Sequence, residues 1–505
     1  MKQNYKNIIL CVITGFLAAF AFPKINLFFL MWIAFIPLMY VIFRSSQPLS
    51  FVYAFIAGFV FNLQANFWLI NTIMLFSYDN YGISIIAYVF FCLYFAFYWG
   101  IWGLFSSIIK KYCTNTLFFV ILSACLWVAL EYVRTYILGN WPWLIIAYSQ
   151  YKIPQLIQIA EFTGVYGVSF AIIFINGLLY FGIFEKKRNY LFYAAAVFAA
   201  ILVFGIFRYN AFQNFGEGKE FKAAAVQANV EQYKKLTNEY RQEMFAGLKH
   251  LAEEVSKINA DLVLWAESEI INFIPSDKES FEEADKIAKI SGGINIIGAP
   301  HLDENERLYN AVFYFDGSGG YAAMHLKNHL VPFGEYMPYG EIYSKFVGIP
   351  NINDDITGGK DTNVFTDGSL FIGPLICSEN LFPDIVRRFV LSGAKVLTNH
   401  TNDAWFFDSS ASHKHFSANV FRAVESRKAV IVAANTGVSA IIDASGRIVS
   451  ESKLCEQAII SGTFLQNEYM TFYMRYGDVF VKFCIFIIIV FVFVNFYKRR
   501  LNGRE

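Results

Sequence analysis

At 505 residues the chain is too long for one ordinary domain, and with 56% hydrophobic residues it is too apolar for a soluble protein. A formal net charge of +1, with no basic stripe carrying interleaved aromatics, gives no footing to a nucleic-acid partner. Charges are scarce up to Phe207, frequent between Arg208 and Glu468, and thin out again after Asp478. The expected organisation is a membrane part over 1–207, a soluble domain over 208–470, and a closing membrane segment with a short tail over 471–505.

The first crossing runs from about Ile8 to Phe22. Its Ala19-Phe20-Ala21 has the look of a signal-peptide cleavage site, and Cys11 follows Leu10 where a lipobox wants a small residue. Uncleaved entry is the better reading, because further apolar segments follow at once near 26–43, 51–73, 83–109, 116–138, 163–185 and 190–207. With 479–497 these make a bundle of eight helices, each near the ~17–25 residues that span a bilayer. Lys2, Lys6, Arg44, Lys110, Lys111, Lys186, Lys187, Arg188, Lys498, Arg499, Arg500 and Arg504 then share one side, which the positive-inside rule makes cytoplasmic. Seven crossings deliver the soluble domain to the outer face, and the eighth returns the C-terminus. Glu131 and Arg134 lie one turn apart, open to either structural pairing or a role in holding a lipid headgroup. Trp141-Pro142-Trp143 and Tyr148 read as an interfacial aromatic belt.

From Phe221 the periodicity changes. Strands are predicted at 223–230, 262–265, 294–299, 311–315, 321–326, 370–376, 395–399, 429–434 and 438–443, with helices at 236–258, 281–290, 383–391 and 413–427. Such alternation makes a layered α/β domain with a mixed sheet. Cys377 ends an apolar strand, Leu370 to Ile376, at a strand-to-helix turn where nearby N–H groups favour a thiolate. Alone it is equally a buried cysteine acting as a small hydrophobe. A disulfide to Cys455 is open in an oxidising compartment, but a nucleophilic Cys377 has to be free. Glu267 follows the strand ending in Leu264-Trp265, and Lys327 follows the one ending in His325-Leu326; either alone is an ordinary surface charge. His325 and His329 are spaced i,i+4 but lack partners for a metal site, and neither a metal nor a cofactor is expected.

Together, an acid, a lysine and a cysteine at strand ends in the order Glu267, Lys327, Cys377 resemble the triad of the nitrilase superfamily. With seven apolar segments before and one after, and with His329-Leu330-Val331-Pro332-Phe333-Gly334-Glu335-Tyr336-Met337-Pro338, Asn402 to Phe406 and Arg422 to Arg427, the chain resembles the apolipoprotein N-acyltransferase family. That resemblance implies an outer αββα sandwich of nitrilase type on the eight-helix bundle. It implies acyl transfer through a thioester on Cys377, with Glu267 as general base and Lys327 as the cation facing the oxyanion. Glu335 is then expected to position the lysine or the base, and Glu379 to assist at the turn. The resemblance also implies a phospholipid acyl donor, a diacylated apolipoprotein acceptor, a monomer, and a multi-pass bacterial inner-membrane location with the catalytic domain on the periplasmic face. Ser378 stands where an aromatic residue often follows the nucleophile, and Tyr233-Lys234-Lys235-Leu236 lacks a tryptophan often found near there. The alternatives are a membrane-tethered nitrilase-type amidase and a transporter or receptor whose outer domain only binds ligand.

Overall fold

The structure is a computed structural model describing residues 2–76, 80–137, 140–216, 218–235, 238–317, 320–336 and 356–502. Leu236, Met337, Pro338 and Arg504, named above, and residue 138 at the end of one apolar segment lie outside them. The chain separates into two units, one comprising Met1–Tyr209, Ser409–Ser417 and Tyr476–Glu505, the other Asn210–Asp408 and Ala418–Arg475.

In the first unit, five helices among the described residues are long and apolar enough to cross a membrane: Gln47–Ala65, Tyr81–Tyr112, Thr116–Tyr136, Val165–Phe184 and Asn189–Phe212. The other three expected crossings do not meet that measure, for readable reasons. Polar Lys2, Gln3, Asn4, Lys6 and Asn7 occupy the start of helix Lys2–Phe20. The segment near 26–43 is split into a 3-10 turn, Phe28–Trp32, and a short helix, Ile36–Ile42. Among the described residues, the closing segment gives a shorter apolar stretch, Val479–Asn495. The segment near 51–73 is broken as well, with helix Gln47–Ala65 ending before helix Leu69–Phe76 begins. At that break Asn62 donates to the Gly58 carbonyl and Asn66 to Asn62 Oδ1. Small residues let the helices approach: a Cβ on Gly103 would sit 2.6 Å from the Ser50 carbonyl oxygen.

The belt expected at Trp141 to Tyr148 is instead packed inside this unit. Trp143 and Tyr148 are buried, and Trp141 stacks on Trp143 with centroids 5.4 Å apart. Glu131 and Arg134 are buried too, and Glu131 Oε1 accepts from the Ile146 N–H at 2.9 Å, fastening the helix to this loop.

The second unit holds two six-stranded sheets, as the αββα expectation has it, and not the single mixed sheet that alternation alone suggested. Its strands are β1 (Phe221–Gln227), β2 (Leu262–Leu264), β3 (Ile294–Leu302), β4 (Leu308–Phe315), β5 (Ala323–Leu326), β6 (Phe365–Thr366), β7 (Phe371–Ile376), β8 (Val396–Thr401), β9 (Ala429–Ala434), β10 (Ala440–Ile442), β11 (Ile448–Glu451) and β12 (Ala458–Phe464). The sheet orders are β12-β1-β2-β3-β4-β5 and β11-β10-β9-β8-β7-β6. Each has three parallel strands, β1, β2, β3 and β7, β8, β9, flanked by antiparallel neighbours, so the two sheets repeat one plan. The strands β6, β11 and β12 were not anticipated: β6 is two residues long, and the half-exposed, Ser- and Glu-bearing sequences of the other two lack a clean apolar face.

Both faces of the first sheet are apolar because both are covered. Ala224, Val226, Val263, Trp265 and Phe313 pack on one side with Leu248, Leu251 and Val255 of helix Arg241–Ser256 and Ala284 and Ile287 of helix Lys278–Ser291. Their alternates Ala223, Ala225, Leu262, Leu264 and Val312 pack on the other side with Ile372, Ile376, Val396 and Ile431 of the second sheet. Helix Pro383–Leu391 covers the outside of β7, where a Cβ on Gly373 would lie 3.0 Å from Phe389. The layers are helix, sheet, sheet, helix.

Candidate active site

Glu267 and Lys327 leave the carboxyl ends of β2 and β5, which run in the same direction in the first sheet. Cys377 leaves the carboxyl end of β7 in the second. The inter-sheet core stops where the charged residues begin, so polar side chains from both sheets converge at one end of the sandwich.

Glu267 is placed by a close backbone approach. Beyond Trp265, whose N–H still pairs with the Ile296 carbonyl at 2.9 Å, the chain passes directly over Gly298. A Cβ there would lie 2.3 Å from the Ala266 oxygen and 2.8 Å from Glu267 Cα, so only glycine fits. Glu267 Oε1 accepts from Asn310 Nδ2 at 2.7 Å and from Lys327 Nζ at 3.2 Å, and its Oε2 accepts from the Asn402 N–H at 2.8 Å. Lys327 Nζ also donates to Glu335 Oε1 at 2.7 Å. Glu335 Oε2 accepts from the Val331 N–H at 2.8 Å, and Asn310 Nδ2 reaches Glu335 Oε1 at 3.2 Å. One ammonium is thus held between two carboxylates, with Lys327 itself 1% exposed.

Burial opposes charge on each of these groups, but their mutual attraction prevails. Burial raises the Glu267 carboxyl, yet Lys327 and the Asn310 and Asn402 donors hold it below the usual carboxylate range. Burial lowers Lys327, yet Glu267 and Glu335 lift it well above the usual ammonium range. The resting pair is therefore carboxylate and ammonium.

Cys377 is free, partly exposed, and in the left-handed region at φ +50°, a conformation costly for a residue with a Cβ. It opens a 3-10 turn, Cys377–Leu381. The thiolate expected from that turn is not the resting form. Burial and the negative charge of Glu267 push the thiol well up, against the downward pull of Lys327 and a hydrogen bond with Thr401. One tight turn offers too little dipole to overcome a neighbouring carboxylate.

Glu379 sits apart from this exchange. Its Oε1 accepts from the Asn328 N–H at 2.6 Å, and its Oε2 from the Ile376 N–H at 2.8 Å, with His325 Nε2 3.3 Å away. One carboxylate thereby clamps the residue after Lys327 to the residue before Cys377. His329 lies tilted against the Phe382 ring, with centroids 3.6 Å apart.

The family model for the apolipoprotein N-acyltransferase N-terminal domain matches residues 14–178, and that for carbon-nitrogen hydrolase matches 222–468. An apolipoprotein N-acyltransferase of Geobacter metallireducens is 30% identical over 495 residues, covering 95% of this chain and 93% of that one. The chain belongs to the apolipoprotein N-acyltransferase family. The Rickettsia prowazekii apolipoprotein N-acyltransferase is 29% identical over 515 residues, covering 98% of each chain. Among solved structures, a Nesterenkonia amidase of the nitrilase superfamily is 17% identical and covers 51% of this chain and 94% of its own, with a TM-score of 0.39. Nit3 of Saccharomyces cerevisiae is 18% identical over 49% of this chain and 90% of its own, with a TM-score of 0.38.

Of the family-like motifs, Asn402 to Phe406 reaches the site, through the Asn402 N–H on Glu267. Arg422 to Arg427 serves the fold: Arg422 Nε pairs with Glu425 Oε2 at 3.0 Å, and Arg427 lies over the Phe212 ring at 4.2 Å. Sequence reasoning missed Asn310 and His400. Both are polar residues inside buried strands, and that oddity was the available signal.

Proposed function

We propose that this chain is an apolipoprotein N-acyltransferase that carries an acyl group from a phospholipid, through a thioester on Cys377, to the α-amino group of a diacylglyceryl-cysteine at a lipoprotein N-terminus. What carries the reading is the contact of Glu267 with Lys327 in the field of Cys377. Glu267, ionised and acceptor-only, takes the thiol proton as sulfur attacks the ester carbonyl carbon. Lys327, fixed between two carboxylates, faces the developing oxyanion together with the backbone N–H after Cys377. Collapse breaks the ester C–O bond, and Glu267 returns its proton to the leaving alcohol. The acceptor amine then attacks the thioester, Glu267 takes the amine proton, and the C–S bond breaks to restore the thiol. Glu335 positions Lys327, and Glu379 holds the two backbone segments in register. No step needs a metal or cofactor.

Both substrates carry acyl chains whose exposure to water costs ~0.8 kcal/mol per CH₂, which suits an enzyme built around apolar helices. The full count of eight crossings, the three-part division at 207 and 470, the monomeric state and the periplasmic face of the inner membrane complete the reading. Enzyme incubated with a labelled phospholipid and no acceptor is expected to accumulate hydroxylamine-sensitive label on Cys377. No label on the intact enzyme overturns it, and turnover with water in place of the amine favours a membrane-tethered amidase instead.

A further inference from the structure

Lys235 closes the short helix Gln232–Lys235. Its side chain is 3% exposed, and its Nζ donates to the Ser268 carbonyl at 3.1 Å and stands 4.0 Å from Glu269 Oε1. Glu269 is buried as well. A lysine drawn into the interior loses its hydration, a cost that opposite charge or strong acceptors must offset. Here it meets both, and they flank the carboxylate of the proposed base.

Ser268 lies between Glu267 and Glu269 at φ +49°, a left-handed turn that a residue with a Cβ adopts only when its surroundings enforce it. The bond from Lys235 to the Ser268 carbonyl is one such restraint. The same short helix reaches Glu267 by a second route. Gln232 Oε1 accepts from Asn402 Nδ2 at 2.9 Å, and the Asn402 N–H donates to Glu267 Oε2 at 2.8 Å. Lys235 and Gln232, at the two ends of this helix, thus hold the turn behind Glu267 and the donor in front of it.

We propose that Lys235 is a positioning residue for Glu267, pinning the turn that presents its carboxylate and adding a second positive charge to that of Lys327. The proposal rests on the reading of Glu267 as the base. Among the described residues, the charged and titratable groups around Glu267 include Lys327 after β5, Glu335 behind that lysine, Cys377 after β7, His400 on β8, Asp403 next to Asn402 and acting on Cys377, and Lys235 with Glu269 on its own side. Loss of Lys235 leaves Lys327 as the remaining cation of that group. Glu267 then holds a proton more readily, and the acidic limb of the pH profile moves to higher pH by roughly half to one unit.

The test follows thioester formation on Cys377 by full-length enzyme in detergent, with labelled phospholipid, between pH 5 and pH 9. Lys235→Met is expected to raise the acidic limb and slow labelling about tenfold, while Lys235→Arg keeps the wild-type limb. Should Lys235→Met fold poorly, the paired variant Lys235→Met with Glu269→Gln removes both buried charges. It is expected to regain thermal stability and, with the local net charge restored, the wild-type limb, while labelling stays about tenfold slow because the turn is no longer pinned. An unchanged limb in Lys235→Met overturns the proposal, as does a paired variant that labels at the wild-type rate. Wild-type enzyme that takes no label at any pH overturns instead the reading of Glu267 as base, and this proposal with it.

Discussion

His400 Nδ1 donates to the carbonyl oxygen of Trp265 at 2.7 Å, joining β8 of one sheet to the end of β2 in the other, two residues before Glu267. Its Nε2 accepts from Thr398 Oγ1 at 3.0 Å, which fixes a neutral ring with the proton on Nδ1. Burial depresses this imidazole to about 4.

A depressed histidine means that the unfolded chain binds a proton the folded chain refuses. Stability is therefore expected to fall as pH drops from about 6.5 to about 4, by on the order of 3 kcal/mol from this ring alone. His400→Asn should flatten that part of the stability curve. Thermal unfolding across this window checks it, and an equal slope in both proteins rules it out.

Lys327→Met is expected to cut thioester formation by about 10²–10³ by removing the oxyanion's cation. It also leaves Glu267 and Glu335 buried without their shared partner, so a stability loss of about 3–5 kcal/mol should accompany it. Adding Glu335→Gln should recover part of the stability and none of the rate, which separates the two effects in one thermal-shift and labelling experiment.

Because Cys377 rests as a thiol, its alkylation by iodoacetamide should be slow at pH 7 and climb steadily into the alkaline range. Lys327→Met should slow it further, since that ammonium is what pulls the thiol down. Fast alkylation at neutral pH would show a resting thiolate and remove the need for Glu267 as base.

Gly298→Ala brings a methyl against the Ala266 oxygen and Glu267 Cα. The expected result is a drop of tenfold or more in the rate of label uptake, with an ordinary destabilisation of about 1–3 kcal/mol. Wild-type uptake by the folded variant would mean that the turn at Glu267 tolerates displacement.

Glu379→Gln keeps one acceptor oxygen where two are in use. Loss of a charge-assisted bond to the Ile376 or Asn328 N–H should cost about 1.5–3 kcal/mol and slow thioester formation, because Cys377 and Lys327 adjoin the released groups. A stable variant with unaltered rate would reduce Glu379 to a bystander.

Much of this molecule could be read along the chain, because periodicity and strand-end chemistry are local. The apolar segments, most strands of the second unit, and Glu267, Lys327 and Cys377 as residues ending strands were legible in that way. The break after Ala65 was not, since nothing in an apolar run states where asparagines will turn back on the helix backbone. Nor were β6, only two residues long, and β11 and β12, whose one-sided cover leaves little apolar alternation. Alternation by itself suggested one mixed sheet; two sheets stacked face to face followed only from the resemblance, and the tertiary structure has them. Residues distant in sequence meet across that interface, where burial and neighbouring charge set each protonation state. A sequence names the carboxyl, the ammonium and the thiol; which of them holds a proton depends on distances that exist only after folding.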